Sequence, residues 1–135
     1  MTQQSTDSKD VVRAFWTEVW NEGRLDRIAD FMTEDFVIHS GGRDIGPRQA
    51  FADWVRDFHG AIDDLVFDIR ALHSDGPAVT TLWRITGRNA GFMGTPANGK
   101  PVRFTGLTLS IVTPDGRIAE KWVERSAWEL YPTLT

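Results

Sequence analysis

The sequence contains no cysteine. Disulfides, thiolate nucleophiles and cysteine metal ligands are excluded at once. No run approaches ~18 apolar residues, so no membrane-spanning helix is expected. The opening residues, MTQQSTDSKD, lack the apolar centre of a secretory signal. Lys and Arg number 15 against 19 Asp and Glu, for a net charge of −4, with no dense basic block. A nucleic-acid surface would gather its cations to neutralise phosphates. These absences predict a cytoplasmic protein without nucleic-acid or membrane partners.

What the chain has in excess is indole and phenyl: six Trp and eight Phe against one Tyr. A length of 135 residues fits one domain, here taken as 1–135 with 1–8 as a loose polar tail. A domain of this size buries a sizeable core unaided. Trp is an awkward core filler, because its N–H needs a partner. Two uses remain open for so many: bulk beneath a curved sheet, or the walls of a cavity for a flat ligand.

The first half reads as helical. Val12, Phe15, Trp16 and Val19 repeat at helical spacing, with Ser8 or Asp10 as a cap and Gly23 as the end. RLDRIADFM reads as a second short helix, and EDFVIHS as a strand ended by Gly41-Gly42. Pro47 opens a third helix whose apolar face is Phe51, Trp54, Val55 and Phe58. The period then changes to two. DLVFDIRALHS, AVTTLWRITGR, KPVRFTGLTLSIVT and RIAEKWVERSAW read as four long strands, the last running into a short tail. DGP at 75–77 and PDG at 114–116 supply turns. Helices followed by an antiparallel meander predict an α+β fold, with helices packed on one face of a bent sheet.

Two segments carry a resemblance. TGRNAGFMGTPANGKPVRFTG at 86–106 and PDGRIAEKWVERSAWEL at 114–130 resemble the SnoaL-like polyketide cyclases of the NTF2-like superfamily. The opening FWTEVWNEGRLDRIADFMTEDFVIH, with its Trp20-Asn21 pair and His39, resembles the family's first helices and strand. The resemblance implies an NTF2-like cone: a strongly curved, mostly antiparallel sheet wrapped around three N-terminal helices. It also implies an apolar pocket, no cofactor and no metal. The reaction implied is removal of a proton beside a carbonyl followed by ring closure. Phe92 and Met93 would lie at the mouth, as a lid or as a plug. The family's acid/base Asp and its assisting His fall here on Ser126 and Asn89, which do not titrate near neutral pH. Those two roles are therefore not carried over.

Other residues could take the work. Residues two apart on a strand share a face, so Trp122, Glu124 and Ser126 point the same way, and the resemblance assigns that face to the pocket. A Glu beside an indole in a dry pocket would have a raised pKa, as a general acid/base needs. Glu124 is the first catalytic candidate and His39 the second. A solvated or salt-bridged Glu124 and a structural His39 are the competing readings. Trp16, Trp54, Trp83 and Trp122 are candidate walls for a small hydrophobic, aromatic or polyketide-type substrate. Asn89 and Ser126 could hydrogen-bond it. His39, His59 and His73 lack metal-ligand spacing, and no G-x-S-x-G occurs. A homodimer formed through outer sheet faces is expected, with Leu82, Arg84 and Thr86 on that face. A non-catalytic ligand-binding or interaction domain is the alternative function.

Overall fold

The computed structural model describes residues 7–135. Most of the expected 1–8 tail, residues 1–6, lies outside that range. Asp7 and Ser8 belong to the first helix, α1 (Ser8–Phe15), because the Asp7 carboxylate accepts from the Lys9 backbone N–H at 2.9 Å. That N-cap is one residue before the expected Ser8 and three before the expected Asp10. The helix does not run on regularly. Trp16–Asn21 winds as a π-helix, which widens the turn. The second helix is shorter than expected: a 3-10 turn (Leu25–Arg27), then α2 (Ile28–Phe31), with Met32 already in β1 (Met32–Ser40). A short β2 (Arg43–Ile45) folds back on β1.

Helix α3 (Arg48–Ala61) starts after Pro47 and buries Phe51, Ala52, Val55 and Phe58. The long strands follow: β3 (Ile62–Asp75), β4 (Ala78–Asn89), β5 (Pro101–Val112) and β6 (Ile118–Arg125). The expected tail after β6 is instead helix α4 (Ala127–Leu134), which buries Ala127 and Leu134.

The six strands form one curved, unclosed sheet in the order β2-β1-β6-β5-β4-β3. All pairings are antiparallel except β1 with β6, which is parallel. The α+β reading and the helix-lined cone therefore hold, with a sheet that is mixed. Alternation settles which face is inside. On β5, Val102, Phe104, Thr108 and Ser110 are buried while Arg103, Thr105, Leu107 and Leu109 are exposed. Where β4 meets β5, Gly106 lies opposite Trp83, and a Cβ on Gly106 would stand 2.3 Å from the Trp83 ring. Only glycine lets that indole lie flat across the strand.

Candidate active site: the concave interior

The α1–π-helix segment and α3 lie against the concave face of the sheet. Trp16, Trp20, Phe51, Trp54 and Phe58 come from the helices, and Ile38, Phe67, Trp83, Ile85, Thr108, Lys121, Val123 and Arg125 from the strands. The cavity they enclose is small, about 20 Å³, room for about one water molecule. Its walls are largely aromatic. Trp16 stacks on Phe67 with ring centroids 4.4 Å apart, and Phe67 lies 5.4 Å from Trp83. Two indoles have their N–H groups satisfied: Trp16 Nε1 donates to Thr81 Oγ1 at 3.2 Å, and Trp83 Nε1 to Thr108 Oγ1 at 2.8 Å.

Three polar groups in this interior have no partner among the described residues: Trp20 Nε1, Ser110 Oγ and Lys121 Nζ. Lys121 is 1% exposed. Its Nζ sits 3.5 Å from the ring centroid of Phe15 and 3.7 Å from that of Trp16. No Asp or Glu lines the cavity. Burial without an anion pushes the Lys121 amine well below the ordinary lysine value, towards the neutral form. Arg125, two positions beyond Val123 on the same face, places its guanidinium carbon 5.1 Å from the Phe58 ring centroid. Much of that residue meets solvent, yet desolvation by the surrounding protein still lowers its pKa.

The candidate residues fall into three groups. Trp16, Trp54 and Trp83 are brought together as cavity walls, with Trp54 half-buried at the rim. Trp122, Glu124, His39 and Ser126 are not in the cavity. Lys121 and Val123 face inward on β6, so Trp122 and Glu124 face outward by strand alternation, and Trp122 is 52% exposed. The expectation that Glu124 sits in a dry pocket is thus overturned by one step of parity.

His39 and Glu124 do share a place, an open groove on the convex side with Trp122. There His39 stacks on Trp122 at 3.9 Å, and carboxylates occupy both ring nitrogens: Asp44 on Nδ1 at 2.6 Å and Glu120 on Nε2 at 2.7 Å. These contacts raise the His39 pKa, through the hydrogen bond to Asp44 first and that to Glu120 second. A ring so clamped ties β1, β2 and β6 together and has no free nitrogen for a substrate. Ser126 follows the end of β6, and its hydroxyl bonds to the backbone N–H and C=O of Thr105, both at 3.2 Å.

The third group shapes the loop between β4 and β5. Asn89 is 1% exposed. Its Oδ1 accepts from the backbone N–H groups of Gly91 and Phe92 at 3.0 and 2.8 Å. Its Nδ2 donates to Thr95 Oγ1, Pro96 O and Asn98 Oδ1. That amide is saturated by its own loop and has nothing left for a ligand. Phe92 is a plug, buried between Phe58 and Phe104, its ring stacked on the latter at 5.3 Å. Met93, at a positive φ of 56°, is half-buried against the core and borders a surface groove with Val123, Arg125 and Trp128.

Sequence reasoning missed Lys121, Arg125, Trp20 and Phe67 as lining residues. The signal for Lys121 was present: Val123 is the one aliphatic side chain in the KWVER run, and parity from it selects Lys121 and Arg125. The more conspicuous Trp122 pointed the other way.

Comparison with known proteins agrees with this geometry. The family model described as SnoaL-like polyketide cyclase matches residues 10–131. A candidate polyketide cyclase from Acidithiobacillus ferrooxidans superposes with a TM-score of 0.83 at 24% identity, over 98% of this chain and 97% of that one. IdmH, a candidate polyketide cyclase from Streptomyces antibioticus, gives 0.84 at 24% identity, over 96% and 99%. AclR, a candidate hydroxylase from Streptomyces galilaeus, gives 0.82 at 19% identity, over 96% and 97%. No curated protein matches the chain.

Proposed function

The chain belongs to the SnoaL-like polyketide cyclase family, and we propose that it is an enzyme working by acid/base chemistry, without a cofactor, inside the concave face of its sheet. The substrate is a small, flat, hydrophobic carbonyl compound of aromatic or polyketide type. One observation carries the reading: a fully buried amine, without a hydrogen-bond partner among the described residues, aimed into an aromatic cavity. The usual acid/base residues of the family are replaced at Ser126 and Asn89, and both replacements are engaged elsewhere.

Lys121 does the proton transfer in this reading. As a free amine its Nζ accepts a proton from the carbon beside the substrate carbonyl. The ammonium so formed faces the enolate it has just made, and in a dry cavity that attraction is far stronger than in water. Trp16, Phe67 and Trp83 hold the flat substrate by stacking. The cavity measures about 20 Å³, so substrate access requires Trp54 and Arg125 to swing aside at the rim. Thermal-shift screening against aromatic polyketides and hydroxy-esters tests this. A bound ligand at 100 times its dissociation constant adds about 2.7 kcal/mol. Turnover of such a ligand should vanish in Lys121→Met with binding kept; wild-type turnover in that variant overturns the reading.

A second reading has its own support. The small cavity suits a non-catalytic interaction domain, and the convex face presents Leu82, Leu107, Leu109 and Trp122 to solvent. Leu82 lies opposite Leu107, and Leu109 opposite Trp122, so the four form one patch across β4, β5 and β6. That patch fits a homodimer contact and is compatible with either function.

A further inference from the structure

We propose that Lys121 Nζ is a nucleophile that forms an imine with a carbonyl compound bound in the concave cavity. The proposal rests on the reading of this cavity as the active site, and puts covalent activation at Nζ in place of direct proton transfer to it. Three observations carry it.

The first is isolation. Nζ is enclosed by the faces of Phe15 and Trp16 and has no hydrogen-bond or ion-pair partner among the described residues. An ammonium held there would have surrendered its water for ring faces alone, whereas a neutral amine has little to lose. A desolvated lysine in an apolar pocket is the form that attacks carbonyl carbon.

The second is its neighbour. Ser110 lies directly opposite Lys121 in the β5–β6 register, and its buried Oγ also has no partner. The strand beside the amine thus offers it no bound partner, although a hydroxyl that both donates and accepts lies opposite.

The third is scarcity. The chain has three lysines, and the other two, Lys9 and Lys100, lie at the start of α1 and in the exposed loop before β5. Neither lines the cavity.

The step balances without redox change. The Nζ lone pair forms a C–N bond as the carbonyl π pair moves to oxygen. A proton passes from nitrogen to that oxygen and gives a carbinolamine. The C–O bond then breaks, water leaves, and a C=N bond remains. Protonated by the water just released, this imine acidifies the neighbouring C–H as the free carbonyl would, only more strongly, and the hydroxide so formed takes that proton. The resulting enamine carbon can close a ring onto a second carbonyl, and water finally returns the amine.

The test uses the whole protein, a naphthaldehyde as a flat aromatic probe, and sodium borohydride near neutral pH. Reduction fixes the imine as a secondary amine, seen as one added aldehyde less one oxygen. Peptide mapping of the wild-type protein is expected to place the adduct on Lys121, at least about tenfold above Lys9, Lys100 or the terminal amine. Each unit by which one amine's pKa lies lower raises its free-base fraction about tenfold. Lys121→Met, checked for folding by circular dichroism, should lose the adduct. No adduct, or labelling spread evenly over the amines, overturns the proposal. If labelling fails while Lys121→Met still abolishes turnover of a bound ligand, proton transfer stands and the imine falls. If the variant also keeps turnover, both fall.

Discussion

A buried lysine with no anion beside it makes folding depend on pH in a particular direction. The unfolded chain keeps the Lys121 proton up to its ordinary pKa of 10.5, while the folded chain releases it at lower pH. Between those values the unfolded state binds more protons, so this residue's contribution rises with pH. Lys121→Met should therefore stabilise the protein near neutrality by about 1–3 kcal/mol, the cost of an unpaired buried polar group. The advantage should shrink in alkaline buffer, as paired denaturant titrations of variant and wild type would show. A constant advantage across pH would mean that the folded amine keeps its proton as the unfolded one does, and that burial has not lowered its pKa. His39 has the opposite sign. Its folded pKa is raised above 6.5, so its clamp is fully in place below 6.5 and is lost as pH rises through the folded value. His39→Gln should accordingly lower the melting temperature in mildly acid buffer more than in alkaline buffer. The sequence hid the first residue and displayed the second. Lysine is ordinarily a solvated residue, so its inward aim shows only through the alternation around Val123. Glu124 attracted attention because an indole precedes it, yet both belong to the outer surface.

Elements were more legible than sites, because period and turn chemistry are local. The change from helical to two-residue spacing marks β3 to β6, and Gly76 and Gly116, both at positive φ, mark two of their turns. What local pattern cannot show is an element too short to have a period, such as β2, or one hidden by conspicuous aromatics, such as α4. Nor does it show the π-helix that carries Trp16 and Trp20, both of which line the cavity. The contact of Gly106 with Trp83 yields a prediction at this scale. Gly106→Ala forces the indole off β5 or bends the strand, and overpacking of this kind costs about 1–3 kcal/mol. Equilibrium unfolding measures the loss. An unchanged midpoint would show that Trp83 can leave its place without penalty, and with it one wall of the cavity.

For the whole molecule, the sheet divides its labour between two faces. The concave side is aromatic and nearly filled, with Lys121 at its centre. The convex side exposes Leu82, Leu107, Leu109 and Trp122 amid charges such as Arg84, which pairs with Asp68 at 3.3 Å. Removal of that patch from water is the natural drive for self-association. Sedimentation should find a dimer in the wild type and a monomer in Leu107→Glu, with the far-ultraviolet spectrum unchanged. A wild-type monomer at micromolar concentration would remove the dimer from consideration while leaving the cavity chemistry intact. The parallel pairing of β1 with β6 has a consequence in the order of birth. A ribosome delivers β1 and β2 before the other strands, but the strand that joins them to the rest of the sheet, β6, is the last of the six to emerge. Until then the nascent chain carries two unjoined pieces of sheet with bare flanks, and chaperones meet a molecule whose middle is made last.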